Sequence, residues 1–385
     1  MQRKPTLANS IFVSFVTKLE DPRASNRWHP LETVIFSVLV GVLCGANGFV
    51  GAAHIAGKKK RFIERYVPCP HGVPTHDTMG RVLAMLQPEH FADAFAFFMA
   101  RMTGRLVDDI INIDGKTLRG VMNKLVRSKK GANIEDQVHM VTAFSDLRGY
   151  VLAQLRSKAV ANEVAAAQDL LRLLVIKGST VTFDAAHNSV KTLEMIVERG
   201  GDVVIGVKGN SKKLLNAIKA AFKNGKPVII EETESAHGRI EHRKYLLLSA
   251  VGDYLRARFP MLKVLIRTER QRVLPTGKIR KPAVTYYASS LDPTRSHRII
   301  ECVRRRWGIE NRLHYVLDMT FDEDSSRVRI GHAAENFSRF LHLAVNLLRA
   351  DKAERVSLQN KRFSAATDDE YLESLIGPPV ALNPL

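Results

Sequence analysis

Two short apolar runs, each closed by an aspartate, constrain this chain more than any other feature. Ile110 to Ile113 ends at Asp114 with Gly115 as a break, and Val181 to Phe183 ends at Asp184. Each run predicts a buried strand that delivers a carboxylate at its end. Between them, His139 to Phe144 and Tyr150 to Leu155, separated by Ser145 to Gly149, predict a hairpin. Asn162 to Leu174, Ser189 to Arg199 and Lys212 to Phe222 have helical spacing, and Val203 to Val207 is a further strand. Three strands followed by alternating helix and strand predict a mixed α/β sheet.

β-Prone residues dominate again from Pro227 to Ser290, in Val228 to Ile230, Tyr245 to Ala250, Leu262 to Thr268 and Val284 to Ala288, which predicts a β-rich insertion. Arg295 to Leu317 returns to helix, Ala333 to Leu348 is a last amphipathic helix, and the polar tail from Lys352 is expected to be loosely held. The first hundred residues read as helical. Trp28 to Cys44 has Pro30 near its first turn and Gly45, Asn47 and Gly48 beyond its end, and Phe49 to Ile55 runs into Lys58, Lys59, Lys60 and Arg61. After Pro68 to Pro74, Thr75 or Asp77 caps a helix through Leu86, and Pro88 opens another through Met102. Two helices around a short Gly-containing turn, followed by lysines, fit a DNA-binding helix-turn-helix, and equally a helical packing domain with a solvated basic end.

Charge narrows the class of partner. Lys and Arg number 58 against 39 Asp and Glu, a net charge of +19, and such an excess favours an acidic polymer through counterion release. The excess falls in Lys58 to Arg65, Lys124 to Lys130, Arg267 to Lys281 and Arg304 to Arg312, the pattern of a long DNA track. The longest apolar run, Thr33 to Gly45, is well short of the roughly 20 residues that span a bilayer. It also begins too far from Met1, and lacks the small-residue cleavage site, for a secretory signal. The expectation is a soluble, cytoplasmic protein with no membrane partner. Three cysteines, Cys44, Cys69 and Cys302, offer neither a disulfide framework nor a paired metal site.

Three acids stand out by context: Asp114, Asp184 and Glu310, the last within Arg304-Arg305-Arg306-Trp307-Gly308-Ile309-Glu310-Asn311. Carboxylates that converge at a sheet's edge favour divalent cations, and Mg2+ takes one or two of them together with phosphate oxygens. Each acid taken alone also fits an ordinary cap or surface position. Asp318, Asp322 and Asp324 are further acids near Glu310, and the Arg-rich helix before Glu310 puts it ahead of them as the third ligand. His187 fits water or DNA contact and fits equally a backbone carbonyl. Cys69, His71 and His76 are irregularly spaced in a Pro-rich context and read as loop residues rather than zinc ligands. Trp307 reads as core rather than as a base-stacking platform.

Asp114-Gly115-Lys116-Thr117-Leu118-Arg119-Gly120 resembles the DGKTLRG block of DDE transposases of bacterial insertion sequences, in the H-repeat-associated, or ISAs-type, group. Further blocks agree in order. Gly72-Val73-Pro74-Thr75-His76-Asp77-Thr78-Met79-Gly80-Arg81-Val82 resembles GIPSHDTFGRVF, Lys208-Gly209-Asn210 with Leu214 resembles KGNQxxL, and His237-Gly238-Arg239-Ile240-Glu241-His242-Arg243 resembles HGRIExR. Arg306-Trp307-Gly308-Ile309-Glu310-Asn311 with His314 and Leu317-Asp318 resembles RWxIENxLHWxLD. The closing block matches in Asp322-Glu323-Asp324, Arg327, Arg329, Glu335-Asn336 and Asn346-Leu347-Leu348-Arg349. The resemblance spans about Thr33 to Arg349. Departures spare the three carboxylates: Ser189 stands for the usual Gln after Asp184, Lys158 to Ala161 disturb the block before Asn162-Glu163, and Val303 and Leu317 replace a Tyr and a Lys.

The resemblance implies an N-terminal helical domain over 1–105 that could bind DNA, and a ribonuclease H-like α/β catalytic core over 106–350. The β-rich insertion at about 227–290 lies inside that core, and a polar tail covers 351–385. It implies Asp114, Asp184 and Glu310 as catalytic ligands of Mg2+, with Mn2+ as a substitute, Asp114 bridging two ions. Lys116, Arg119, Lys208, Asn210, Arg239, Arg306, Asn311, Arg327 and Arg329 are the implied DNA contacts, with His187 and His314 auxiliary. The implied partners are the element's terminal inverted repeats, target DNA and a second copy on DNA, and the implied activity is metal-dependent cleavage and strand transfer. A nuclease without strand transfer and an inactive DNA-binding relative are the rival readings.

Overall fold

The computed structural model describes residues 15–16, 18–25, 27–121, 138–157, 163–184, 189–236, 239–250, 252–273, 279 and 281–377. In chain order the helices α1 (Leu31–Leu43), α2 (Phe49–Lys58), α3 (Lys60–Ile63), α4 (His76–Met85) and α5 (Pro88–Thr103) come first. Then follow β1 (Ile110–Thr117), β2 (His139–Ser145), β3 (Tyr150–Ser157), α6 (Glu163–Arg172), β4 (Thr180–Phe183), α7 (Val190–Glu198), β5 (Asp202–Val207) and α8 (Lys212–Asn224). The insertion supplies β6 (Val228–Ala236), β7 (Arg239–Ser249), α9 (Asp253–Arg258), β8 (Val264–Val273) and β9 (Ala283–Ser289). Helices α10 (Ser296–Arg305), α11 (Tyr315–Phe321), α12 (Ala333–Ala350), α13 (Leu358–Thr367) and α14 (Asp369–Ile376) complete the chain. The fold is mixed α/β with N-terminal helices, and strand, hairpin, helix, strand, helix, strand is the ribonuclease H-like order expected.

Packing divides the chain differently from a simple succession of domains. One compact unit takes residues 1–105, 115–175 and 309–385, and the other takes 106–114 and 176–308. The N-terminal helices share their unit with the C-terminal ones because α12 is buried along almost its whole length. Phe337, Phe340, Leu341 and Val345 on α12 belong to the same apolar core as Phe36 of α1 and Phe91 of α5. Twelve of the thirteen residues of α1 are buried, so it is a core helix and not one presented to a DNA groove. Its partner α2 lies so close that a Cβ on Gly41 would come 2.6 Å from the Ala52 Cα, a separation only glycine permits. Thr75 caps α4 as expected, its hydroxyl accepting from the Thr78 N–H at 3.3 Å.

The described part of the tail, through Gly377, is held rather than loose. Lys361 and Arg362 of α13 are buried, and Arg362 donates to the Val42, Ala46 and Thr320 carbonyls, which reads as a buried cap on α1. Buried asparagines of α12 act similarly. Asn346 exchanges hydrogen bonds with the Val151 backbone of β3 (2.9 and 2.8 Å), and Asn336 donates to the Leu83 and Leu86 carbonyls at the end of α4. These bonds give a packing reason for the two asparagines of the closing sequence block.

In the second unit the strand order is β1-β4-β5-β9-β8-β7-β6. β1, β4 and β5 run parallel, and from β5 onward each neighbour is antiparallel. The insertion therefore extends the sheet, with its own core of Tyr245, Leu247, Val264, Ile266 and Tyr287 packed on α10. Its strands are longer than the apolar runs predict. Their polar ends are held by cross-strand pairs, Arg243 with Glu234 and Lys244 with Glu231 at 3.1 Å, which compensate for low hydrophobicity.

Candidate active site

Asp114 and Asp184 are brought side by side by register. Ile113 of β1 pairs with Phe183 of β4 in the parallel ladder, so the next residues, Asp114 and Asp184, stand level on neighbouring strands, whose spacing is about 4.8 Å. Side chains two apart on a strand share a face, so Asp114 lies on the face of Asn112, and Asp184 on that of Thr182. Those two polar residues are themselves buried and bonded: the Thr182 hydroxyl donates to Asn112 Oδ1 at 2.6 Å, and Asn112 Nδ2 donates to the Arg305 carbonyl at 2.9 Å. The end of α10 is thereby tied to the strands that carry the acids.

That tie sets the next residue on an acid. The Arg306 guanidinium comes 3.6 Å from Asp184 Oδ1, and Lys208 Nζ lies 2.9 Å from Oδ2. Arg306 is 11% exposed and packs over the rings of Tyr287 (5.7 Å) and Trp307 (5.3 Å), so the guanidinium is oriented and partly desolvated. Trp307 is 55% exposed, against the core position expected for it. Asn112, Thr182 and Tyr287 were not singled out from sequence. A signal existed for the first two: each interrupts an apolar run two positions before an acid.

Glu310 belongs to the other unit. It opens a five-residue π-helical turn, Glu310–His314, closed by the Tyr315 N–H on the Glu310 carbonyl. The expected single helix from Arg295 to Leu317 is interrupted earlier, by the turn at Arg306 and Trp307, and runs on helically through the π-helical turn. Its side chain is exposed, and one oxygen lies 3.4 Å from Nδ1 of the buried His314, while Asn311 is exposed beside it. β1 runs on through Asp114 and Gly115 to Thr117, so Gly115 is not the break expected. Carboxylate oxygens on neighbouring strands, and a carboxylate with an imidazole on one turn, are donor sets that fit a hard divalent cation.

Several residues expected on DNA also meet protein groups. The Lys116 ammonium meets Asp318, Glu323 (2.8 Å) and Asp324 (3.7 Å) in a largely buried cluster. Burial works against the charged lysine, but Glu323 and Asp318 outweigh it and raise its pKa; Glu323, fully buried, is held below the ordinary carboxylate value chiefly by Lys116 in spite of its own desolvation. Arg119 lies 3.5 Å from Asp324, and Arg329 donates twice to the Gly120 carbonyl (3.1 and 2.9 Å). A Cβ on Gly120 would strike the Ser326 carbonyl oxygen, which explains glycine there. Gly115 is pressed likewise against His139 and Glu163, which pair with each other while Thr117 meets His139 Nδ1 at 2.8 Å. His139 carried no functional signal in the sequence, whereas Glu163 stands in the Asn162-Glu163 block.

Asn210 is exposed on the turn Gly209–Ser211, and Arg327 is exposed. Arg239 opens β7, while His187 and the segment Lys124 to Lys130 lie outside the described residues. Much of the remaining basic sequence is paired internally: Lys59 with Asp369 (2.6 Å), Arg65 with Glu373 (3.0 Å), Arg272 with Glu241 (2.7 Å), Arg304 with Glu232 and Glu234, and Arg312 with Asp146 (3.2 Å). Among the described residues, these pairs neutralise part of the basic charge in the segments Lys58 to Arg65, Arg267 to Lys281 and Arg304 to Arg312. Cys69 bonds the Val67 carbonyl, His71 packs on Trp28 and His76 lies 3.5 Å from Asp77. No helix among the described residues is long and apolar enough to cross a membrane.

Residues 105–347 match the family described as "Transposase DDE domain", and residues 13–99 match "DDE_Tnp_1-associated". The chain is 31% identical over 357 residues to the "H repeat-associated putative transposase YhhI" of Escherichia coli K12, covering 90% of this chain and 92% of that one. It is 29% identical over 373 residues, 94% of each chain, to the "Putative transposase YncI" of Escherichia coli O157:H7. Among solved structures, a piggyBac transposase synaptic complex with hairpin DNA aligns with 99% of this chain and 85% of that one, at 10% identity and a TM-score of 0.45.

Proposed function

The chain belongs to the family of DDE-domain transposases, and on that premise we propose that it binds the terminal inverted repeats of an insertion sequence, cuts at their ends and joins them to target DNA using Mg2+. The observation that carries this reading is the register that sets Asp114, within β1, level with Asp184, just past the end of β4, with two cations on Asp184. Glu310, one helical turn beyond Arg306 in sequence, is the third acid.

Asp114, Asp184 and Glu310 would hold the divalent ion, with Mn2+ able to substitute. When bound, the ion supplies a positive centre that stabilises charge developing on phosphate oxygens. Arg306 is fixed by Tyr287 and by the Asn112 tie, so it presents its planar fork without reorganising, which suits bidentate phosphate contact. Lys208 acts beside it as a point charge. Asn210, Asn311, Arg239, Arg327 and Arg119 contribute further DNA contacts, and His314 orients the Glu310 carboxylate. Two element ends must meet for joining, so the protein acts as at least a dimer on DNA, in the bacterial cytoplasm where the nucleoid lies.

The test uses full-length protein, DNA containing the element end, and Mg2+. Wild type is expected to cut at the end and to join a pre-cut 3′ end to plasmid, while Asp114→Asn binds the same DNA and does neither. Cleavage that survives Asp114→Asn would sink the assignment. Cleavage without joining would make the protein a nuclease, and repeat binding without cleavage in wild type an inactive relative.

A further inference from the structure

The first unit contains a groove of about 580 Å3, of whose lining only Arg327 has a role above. Its floor is apolar, formed by Phe49 and Val50 at the start of α2 and by Val328, Ile330 and Ala333 before and at the start of α12. Val50 and Ile330 are 70% and 73% exposed, the profile of a contact surface rather than a core. Phe49 is braced edge-on by Phe337 at 5.1 Å, and Gly80 of α4 lies against its ring, where a Cβ would stand 3.4 Å away. The ring is thus held rigidly in the groove wall.

Three arginines edge this floor: Arg81 from α4, and Arg327 and Arg329 from the segment before α12. Arg81 Nε is bonded to the Asp77 carbonyl, and Arg329 is directed by the Gly120 carbonyl, whereas Arg327 is exposed with no ion pair among the described residues. Asp77 is the one acid lining the groove, and His76 lies beside it. Arg81 also lines a neighbouring basic groove of about 490 Å3 with Arg23, Arg27 and Trp28, whose indole is 72% exposed and packs on His71 at 5.1 Å. The basic run Lys58 to Arg65, by contrast, has Lys59, Lys60 and Arg65 paired with acids.

We infer that the groove between α2, α4 and the Arg327–Ile330 segment binds a DNA strand with an unstacked base, the base on Phe49 and Ile330 and the flanking phosphates on Arg81 and Arg327. A rigid aromatic beside an aliphatic platform, edged by guanidinium groups, is the chemistry that takes a base face and its backbone together. A paired duplex presents phosphates but no free base face, and would use only the arginines. The inference rests on the proposed DNA-acting role and adds to it a subsite in the N-terminal helices.

The test is fluorescence anisotropy with full-length protein and a labelled DNA of about 15 nucleotides, single-stranded or as a blunt duplex. Arg81→Ala and Arg327→Ala are expected to weaken single-strand binding roughly tenfold each and to make the salt dependence shallower by about 0.7 per contact. Ile330→Ser, at an exposed position that folding does not need, should weaken single-strand binding at least about threefold with the salt slope unchanged, and barely affect the duplex. Equal loss on both DNAs for Ile330→Ser, or no loss in any variant, overturns the groove assignment while wild-type DNA binding leaves the wider reading intact. Absence of wild-type binding to either DNA overturns both. If Ile330→Ser instead converts a dimer to a monomer by light scattering without changing DNA affinity, the occupant is a second copy of the chain and the inference fails.

Discussion

The Lys116 ammonium lies 2.8 Å from the carboxylate of Glu323, a side chain only 2% exposed. The pair joins the strand that follows Asp114 to a segment 207 residues away. Ser338 also donates to Glu323 at 2.8 Å, so the buried carboxylate is satisfied from two elements. A lysine that sequence comparison puts on DNA is thus a lock between two distant sequence blocks.

Replacing Lys116 by Met leaves Glu323 buried without its main counter-charge. Loss of one partner of a buried pair costs about 3–5 kcal/mol. Urea unfolding should show a destabilisation of that order, and a change below about 1 kcal/mol would remove the lock from this account.

Stability should fall as pH drops from neutral, through His342. Burial pushes this histidine down to about 4 from 6.5, with Glu323 opposing the shift. Between those values the unfolded chain binds the proton and the folded one does not, so stability is present above the unfolded value and drains away as pH falls toward the folded one. The expected loss from pH 7 to pH 5 is about 2 kcal/mol. The urea midpoint measured at both pH values checks it, and the difference should shrink in His342→Gln.

Asn112→Leu keeps the volume of a buried side chain while removing both of its hydrogen bonds. The Thr182 hydroxyl and the Arg305 carbonyl lose their partner, at a cost of about 1–3 kcal/mol. Because the tie positions Arg306 on Asp184, DNA cleavage should slow while DNA affinity stays near wild type. An unchanged cleavage rate in a variant that folds would show that Arg306 is placed by other contacts.

Arg362→Ala should destabilise by about 3 kcal/mol, since several carbonyls of α1 and its following turn lose a buried donor. Burial lowers the guanidinium to about 10, so it remains charged at neutral pH. A chain ending at Ala350 should show the same defect more severely in thermal unfolding. Wild-type stability of that truncation would mean the last two helices are dispensable.

Local pattern was read correctly where one face or one run decided it. The apolar runs of β4 and β5, the Ser145 to Gly149 hairpin turn and the Pro88 helix start all fall within a residue or two of expectation, because each is specified by its own neighbours. The reading failed where distant residues decide. β6 and β8 run further than their apolar runs because charges on adjacent strands pair, as Arg243 does with Glu234. The helix through Glu310 is separated from α10 by a turn at Arg306 and Trp307 and contains a π-helical turn, which no composition in that segment announces. The tail was misjudged because Lys361 and Arg362 look solvated in sequence, yet each has backbone carbonyls to bond inside the fold.

Sequence alone therefore determined the element order of the core, the two apolar runs that lead to Asp114 and Asp184 and the spacing of the charged blocks. Tertiary structure decided what those charges do. Hydrophobic periodicity is local and survives in the one-dimensional string, so strands and helices could be read from it. The fate of an ionisable group depends on which carboxylate or carbonyl reaches it once the chain is folded. Arg306 and Lys208 meet Asp184, whereas Lys116, also expected on phosphate, is withdrawn into a buried pair with Glu323. Nothing along the chain distinguishes those lysines; only their burial and the partners brought to them do.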